Sequence, residues 1–437
     1  MEGLLRGYQV NEPTWFYLSL LLILAVFFKF GRVWSVRNLD LVLLLSLAPG
    51  LLLVRATSLV PSVGYCFLFV VSGLLLIRLL LDSVFTRRPR LEQNLNPAGM
   101  AFLCASALLF QTTKIMTEQP DLAAVRTVRG ADELLKRQDA SGESIDPNSE
   151  TGPAGRLLAT TVVPLAGGAE VAAARTMAIL SHIAVILGLI AVGRWHFSDT
   201  HLGLAMAALY LLLPCTAFDV SKVNHLLPAA LIVWAVAAYR KPMVSGVLLG
   251  LACGTVFFPI FLLPIWMAFY WKRGALKFGS ALVLTGAVLL SSLILTSADT
   301  TSFKQQTLGS IDWSVLIFKA DEGVGFWGLY DSAYRIPVFA TFMILLIALT
   351  IWPQRKNVEH LLAHSTAVVV ATQFWYPHQG GIYVLWYLPL MLIVTFRPRL
   401  NHLPLGEQSL EAKVGVSGSG NGRDDVPRGA SRTQLFR

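Results

Sequence analysis

Apolar runs recur along the 437-residue chain at about 15–30, 39–54, 62–82, 97–113, 171–193, 200–217, 226–239, 243–271, 277–297, 336–352, 358–374 and 381–396. Most lie near the roughly 18–20 residues at which a helix, rising about 1.5 Å per residue, crosses about 30 Å of hydrocarbon. Lipid offers a backbone amide no partner, so each run must satisfy its own amides, as a helix. The expected fold is therefore all-α: a polytopic transmembrane helical bundle of about 12–13 membrane segments. Composition agrees, because only 14% of residues are charged, against roughly 25% in soluble domains.

One run is unlike the rest. Ser221-Lys222-Val223-Asn224-His225 forms a polar lip before the apolar helix expected over 226–239. After Arg240-Lys241-Pro242 come glycines at 246, 250 and 254, spaced for close helix packing, and then Pro259 and Pro264 before Lys272-Arg273. The stretch is too long for one span and is broken by proline. It is expected to be two short segments in a broken or re-entrant hairpin, a form that needs protein or a polar cavity around its freed backbone.

Basic residues assign the sides. Lys29, Arg32 and Arg37 follow the first run, and Arg87, Arg88 and Arg90 the third, which puts both turns in the cytoplasm and the amino terminus outside. Alternation then makes 114–170 a long extracytoplasmic loop, with an amphipathic helix over 122–135 expected on the membrane face (Leu122, Val125, Val128, Leu134, Leu135). It also makes Asp219–His225 an outer turn and about 297–334 a second outer loop, and leaves the Gly/Ser/Arg-rich segment 401–437 as a disordered cytoplasmic tail. Trp15–Phe30 is too long for a signal peptide core and lacks a small-residue cleavage site, so it reads as a span. The net charge of +9 sits in clusters at the ends of runs, without interleaved aromatics, which argues against nucleic acid as a partner. Cys66, Cys104, Cys215 and Cys253 show no metal-like spacing and read as packing residues.

The unusual polar residues gather on the outer face. Glu118 and Asp121 lie just after a span, where a held carboxylate can act as general base on a sugar hydroxyl; as ordinary loop acids they would simply be solvated. Lys222, Asn224 and His225 at a helix entry suit a phosphate or sugar headgroup, or else serve as cap and interface residues. His378 and Tyr383 lie in FWYPHQGGIYVLWYLP, whose aromatics (Trp375, Tyr376, Tyr383, Trp386, Tyr387) would alternatively form an interfacial belt. His182 and His364 fall inside expected spans, either functional or bonded to a neighbouring helix. No phosphate loop, metalloprotease motif or nucleophile elbow is present. Charge inside the runs is sparse, with Arg78 near an end as the main exception, whereas ion-coupled transporters carry buried acids there.

Taken in order, these motifs over about 97–400 resemble the C-type integral-membrane glycosyltransferases, in particular the polyprenyl-phosphate-mannose-dependent mannosyltransferase group. The matching elements are Asp121-Leu122-Ala123-Ala124 through Asp132-Glu133-Leu134-Leu135, then Gly155-Arg156-Leu157-Leu158 to Val163-Pro164-Leu165, and then Ser221-Lys222-Val223-Asn224. Gly246 to Gly250-Leu251 with Val256-Phe257-Phe258-Pro259, and His378, Tyr383, Trp386 and Pro389, complete the series. Two positions depart from the family pattern: Val256 replaces its lysine and Lys222 its glutamine. Residues 1–96, with three spans, fall outside the resemblance and read as an amino-terminal extension.

The resemblance implies an inverting glycosyltransferase of the bacterial inner membrane. Its donor would be a sugar on polyprenyl phosphate, and its acceptor a cell-envelope glycan or glycolipid. Asp121 or Glu118 would be the base, and Lys222, Asn224, His225, His378 and Tyr383 would bind substrate, with no metal or other cofactor required of a leaving phosphate that carries its own charge. The rival expectations are a transporter or lipid flippase, which the broken hairpin also fits, and a non-catalytic envelope scaffold.

Overall fold

A computed structural model describes residues 12–55, 61–84, 93–136, 152–295, 297, 313–316, 325–328, 330 and 332–398. The basic turn at 87–90, the Gly/Ser/Pro-rich centre of the long loop at 138–151, most of the second outer loop and the tail from 401 lie outside them. Among the described residues all regular structure is helical. The α-helices are α1 (Glu12–Phe27), α2 (Val36–Arg55), α3 (Pro61–Leu80), α4 (Pro97–Thr117), α5 (Leu122–Lys136), α6 (Pro153–Ala159), α7 (Glu170–His196) and α8 (Thr200–Leu212). They continue as α9 (Pro214–Phe218), α10 (Val223–Ala237), α11 (Pro242–Cys253), α12 (Leu263–Tyr270), α13 (Ala275–Leu295), α14 (Arg335–Ile351), α15 (Val358–Trp375) and α16 (Val384–Phe396). The helices thus follow the apolar runs of the sequence. Five of them (α2, α3, α4, α7 and α13) are long and apolar enough to cross a membrane, and shorter apolar helices stand beside them. This is a helical-bundle membrane protein.

Helix ends are set locally. Pro97 starts α4 behind Asn96, whose side chain accepts the Gly99 N–H at 2.7 Å, and Asn357 with His360 forms a reciprocal cap on α15. Alternation up and down the bundle sorts the loops into two ends. One holds Glu12, Arg55, Asp121, Asp219 and Tyr383; the other holds Phe28, Asp82, Asn94, Lys356 and Arg397. They are the Glu12 end and the Arg397 end below.

The segment 242–274 is a hairpin with both feet at the Arg397 end. The Tyr270 hydroxyl donates to Tyr239 O at 2.5 Å, and an added Cβ on Gly274 would stand 2.7 Å from Pro242. α11 runs beside α13 on the glycine stripe: a Cβ on Gly246 would meet Phe278 O at 2.6 Å, one on Gly250 Thr285 at 3.0 Å, and one on Gly254 Leu289 at 2.5 Å. α13 continues six residues past Leu289, about 9 Å at ~1.5 Å per residue, so the apex stops short of that helix's end. α6 drops onto the apex. The Gly152 N–H donates to Thr255 O at 2.8 Å and the Ala154 N–H to Gly254 O at 3.0 Å. Two carbonyls at the break, those of Gly254 and Thr255, are thereby satisfied by protein, as a re-entrant segment requires.

α5 docks on the protein through a face of small residues and leaves leucines outward, on the side where an amphipathic helix meets the membrane. Ala123, Ala124, Thr127, Val128, Gly130 and Ala131 are buried where α5 packs on α6, α7 and α10, while Leu122 is 71% exposed and Leu135 48%. Small residues permit the close approach, and a Cβ on Gly130 would stand 2.9 Å from Arg156 Nε. Hydrophobic spacing alone does not weigh alanine as a docking surface. α1–α3 lie in the same compact unit as the helices up to residue 400: Arg55 reaches Asp219, and α3 packs along α15.

Candidate functional site

The Glu12 end is built around the turn 219–225, between α9 and α10. The Asp219 side chain is 1% exposed, and its Oδ1 receives Arg55 Nη2 at 2.6 Å and Lys222 Nζ at 3.0 Å. Arg55 also donates to Phe218 O at 3.0 Å and pairs with Glu12 at 2.5 Å. Burial pushes the Asp219 carboxyl up, but Lys222 and Arg55 outweigh it and hold the group below its ordinary value.

Asp121 faces the same group of charges. Its carboxylate caps α5, accepting the N–H groups of Ala123 and Ala124, and it feels Lys222 and Asp219 as its nearest charges. One oxygen, Oδ2, is sealed from solvent and has no partner. Burial raises this carboxyl, Lys222 lowers it and Asp219 raises it again; the result lies above the ordinary aspartate value. Glu118 sits farther out. It is 43% exposed and pairs with Lys114 at 3.4 Å, while its carbonyl accepts Arg175 Nη2 at 3.0 Å.

The other half of the site is aromatic. His225, 2% exposed, lies with its ring centroid 5.0 Å from Tyr383 and 6.0 Å from Trp386. Tyr383 stacks on Trp386 at 4.1 Å, and Trp386 on Phe258 at 4.3 Å, giving a column of three flat rings. Tyr376 stands edge-on at 5.1 Å from Tyr383 and 5.4 Å from Trp386, and His378 lies 6.3 Å beyond Tyr376. The turn that presents them is bent sharply: Gln379 has φ 50°, a region non-glycine residues rarely adopt, and Gly381 φ 98°. Asn224 Oδ1, His225 Nδ1 and Trp386 Nε1 are sealed and unpaired, like Asp121 Oδ2.

All seven residues singled out from the sequence thus lie at one end. Asp121 and Asp219 both feel Lys222, His225 and Tyr383 are in ring contact, His378 follows through Tyr376, and Asn224 sits in the first turn of α10 between the halves. Glu118 stands at the rim with Lys114. The belt reading of the aromatics does not hold: Trp375 and Tyr387 are 0% exposed, Trp386 2% and Tyr376 8%. His182 and His364 bond to neighbouring helices, His182 between Val220 O (3.0 Å) and the Tyr210 hydroxyl (2.9 Å) and His364 to Leu349 O (3.2 Å).

Sequence reasoning passed over Asp219, Glu12, Arg55 and Phe258 as site residues. The Asp219–Lys222 spacing of three, a turn-and-helix pairing distance, was the available signal. Comparison with models of protein families, with curated proteins and with solved structures finds no match to this chain.

Proposed function

We propose that the chain is an integral-membrane glycosyltransferase that moves a sugar from a polyprenyl-phosphate donor to a cell-envelope glycan or glycolipid, at the Glu12 end of the bundle. The observation that carries the reading is Asp121: a carboxylate fixed by two backbone N–H groups, with one oxygen sealed and unpartnered beside Lys222. In the reaction, the acceptor hydroxyl attacks the anomeric carbon while its proton passes to Asp121 Oδ2. The bond from that carbon to the phosphate oxygen breaks, its electron pair leaves with the polyprenyl phosphate, and the anomeric centre inverts. Lys222 offers an ammonium to the charge gathering on the leaving phosphate. The Tyr383–Trp386–Phe258 column gives flat apolar faces to a sugar ring or the first isoprene units, and Asn224 Oδ1, His225 Nδ1 and Trp386 Nε1 offer hydrogen-bonding atoms beside it. On this reading the membrane is the bacterial inner membrane, with the Glu12 end outward.

One observation favours a transporter or flippase instead: the re-entrant hairpin, whose apex brings Phe258 to the same place. Transfer from labelled polyprenyl-phosphate sugars in membrane vesicles, with wild type beside Asp121→Asn at equal protein level, separates the two. Transfer by wild type that the variant loses supports the enzyme. Movement of the intact lipid-linked sugar across the vesicle membrane without transfer supports the transporter.

A further inference from the structure

The Arg397 end holds a group of side chains separate from the site above. Arg37, in the first turn of α2, places its guanidinium 5.6 Å from the centre of the Phe396 ring, and both of its Nη atoms are sealed from solvent without an acceptor. Phe396 packs edge-on against Phe27, the last residue of α1, at 6.1 Å. Asn94 clamps that same turn of α1: its N–H donates to Val26 O at 3.1 Å and its Nδ2 to Ala25 O at 2.8 Å. Gln93, the residue before Asn94, has its Nε2 sealed and unpaired; so is Nε of Arg397, the residue after Phe396. Among the described residues, the unsatisfied groups on these and adjoining positions are the Arg37, Gln93 and Arg397 donors and the Thr395 hydroxyl, which can donate as well.

Among the described residues, the side chains that could accept at this corner are already engaged. Asn38 Nδ2 takes the carbonyls of Lys29 (3.0 Å), Arg32 (3.1 Å) and Val33 (3.3 Å). Asp40, one turn along α2 from Arg37, is held by Arg78 through both oxygens at 2.6 and 2.8 Å. Asp82 is held by Arg78 and Arg397, and Glu359 by Arg397. A buried guanidinium without a counter-charge is costly. A species that supplies several acceptor oxygens and a negative charge meets the need, and the planar fork of an arginine matches phosphate oxygens in pairs. Arg37 is in the first turn of α2, just after the connection that carries Lys29 and Arg32, a basic turn of the kind that meets lipid headgroups.

We propose that Arg37, with Gln93 and Arg397 Nε around the Phe27–Phe396 pair, forms a binding site for a phosphate group. Two sources carry that chemistry: the phosphodiester of an anionic phospholipid, and free phosphate. The site is independent of glycosyl transfer at the opposite end.

The test uses the full chain in nanodiscs of phosphatidylcholine with and without phosphatidylglycerol, and in detergent with inorganic phosphate against chloride at equal ionic strength. Lipid retained in native mass spectrometry and the thermal midpoint are the readouts. Wild type is expected to retain phosphatidylglycerol selectively; Arg37→Met, which keeps the apolar stem, binds it at least about tenfold more weakly. Arg37→Lys falls between, and Gln93→Leu loses less than Arg37→Met. A midpoint that rises with inorganic phosphate in wild type but not in Arg37→Met, without lipid selectivity, assigns the site to free phosphate. Neither selectivity nor stabilisation in wild type, or binding by Arg37→Met equal to wild type, overturns the proposal. Should Arg37→Met not fold, unchanged affinity in both Arg37→Lys and Gln93→Leu overturns it.

Discussion

The two ends of the bundle treat their buried charges in opposite ways. At the Arg397 end, Arg78 grips Asp40 with two parallel bonds and Asp82 with a third, and Arg397 pairs with Asp82 and Glu359. Five charged groups from α2, α3, α15 and the residues after α3 and α16 close on one another, with Arg78, Asp40, Asp82 and Arg397 all at 4% exposure or less. At the Glu12 end Asp219 is held by Arg55 and Lys222, while Asp121, Asn224, His225 and Trp386 each keep a sealed atom unpaired. Buried polar groups are paired in the great majority of cases, so the unpaired cluster asks for something that the described residues do not supply. The charge network at the Arg397 end joins helices; the unpaired cluster at the Glu12 end is where the proposed substrate would bind. Arg37 repeats the second pattern beside the first, on a smaller scale.

The comparison breaks most readily at Asp121. Asp121→Asn keeps the α5 cap, since asparagine caps as well as aspartate, but gives Oδ2's place to a group that takes no proton. Transfer is expected to fall by about 10²–10⁴-fold, the usual contribution of a general base, with the thermal midpoint almost unmoved. Labelled transfer and a melting curve on the same preparation check both halves. An unchanged rate would remove Asp121 and leave Glu118 as the candidate.

The mirror experiment belongs to the Arg397 end. Arg78→Met removes the guanidinium that grips Asp40 with two bonds and Asp82 with a third, a loss of about 3–5 kcal/mol. Transfer per folded molecule should stay near wild type, because nothing at that end touches the reacting atoms. Loss of turnover in Arg78→Met that remains correctly folded would show that the ends are coupled.

A smaller effect is expected where the ends are physically linked, along the hairpin. In Gly246→Ala the new methyl would press on Phe278 O at 2.6 Å, forcing α11 and α13 apart at a cost of about 1–3 kcal/mol. The displacement should reach Phe258 at the apex and weaken substrate binding more than the chemical step. A raised KM at nearly constant kcat is the result that fits; a fallen kcat at constant KM would mean that the hairpin positions the base as well.

Why one end was readable in the sequence and the other was not follows from the range of its pairings. Runs of about 18 apolar residues announce helices without help from tertiary structure, and the proline-broken run announced the hairpin. Asp121, Lys222, Asn224 and His225 could be placed on one face because alternation fixes the sides. Arg55 and Asp219 meet across 164 positions of sequence, and Asp82 and Arg397 across 315, so neither pair leaves a local trace. Asp40 disappears inside an apolar run. The aromatics of 375–387 were equally compatible with an interfacial belt, and only the packing of α16 against α8, α10 and α15 decides that they are interior. For α5, spacing marks the outward Leu122 and Leu135 and the docked Val128, while the alanines that dock beside Val128 carry too little hydrophobicity to show in a periodicity.

The gentlest probe of the contrast is the proton, and its sign differs between the two aspartates that face Lys222. Asp121 is held above its ordinary value, mainly by burial. The folded state therefore binds this proton more tightly than the unfolded one, and the group favours folding on the acid side, a contribution lost as pH rises through the raised value. Asp219 is held below its ordinary value against the pull of burial, by Lys222 and Arg55. Its contribution is present above the unfolded value near 3.8 and disappears only as pH falls through the lowered one. A base must be deprotonated to act, so transfer should fall on acidification while the Asp219 pairing that holds the turn is still intact. A window of folded but inactive protein is expected just above the pH at which the fold itself gives way. Activity and the intrinsic fluorescence of the buried tryptophans, followed on one acid titration, would display the window as two separated transitions. Coincident transitions would mean that Asp121 has no raised proton affinity of its own, and that the activity limb reports unfolding of the 219–225 turn.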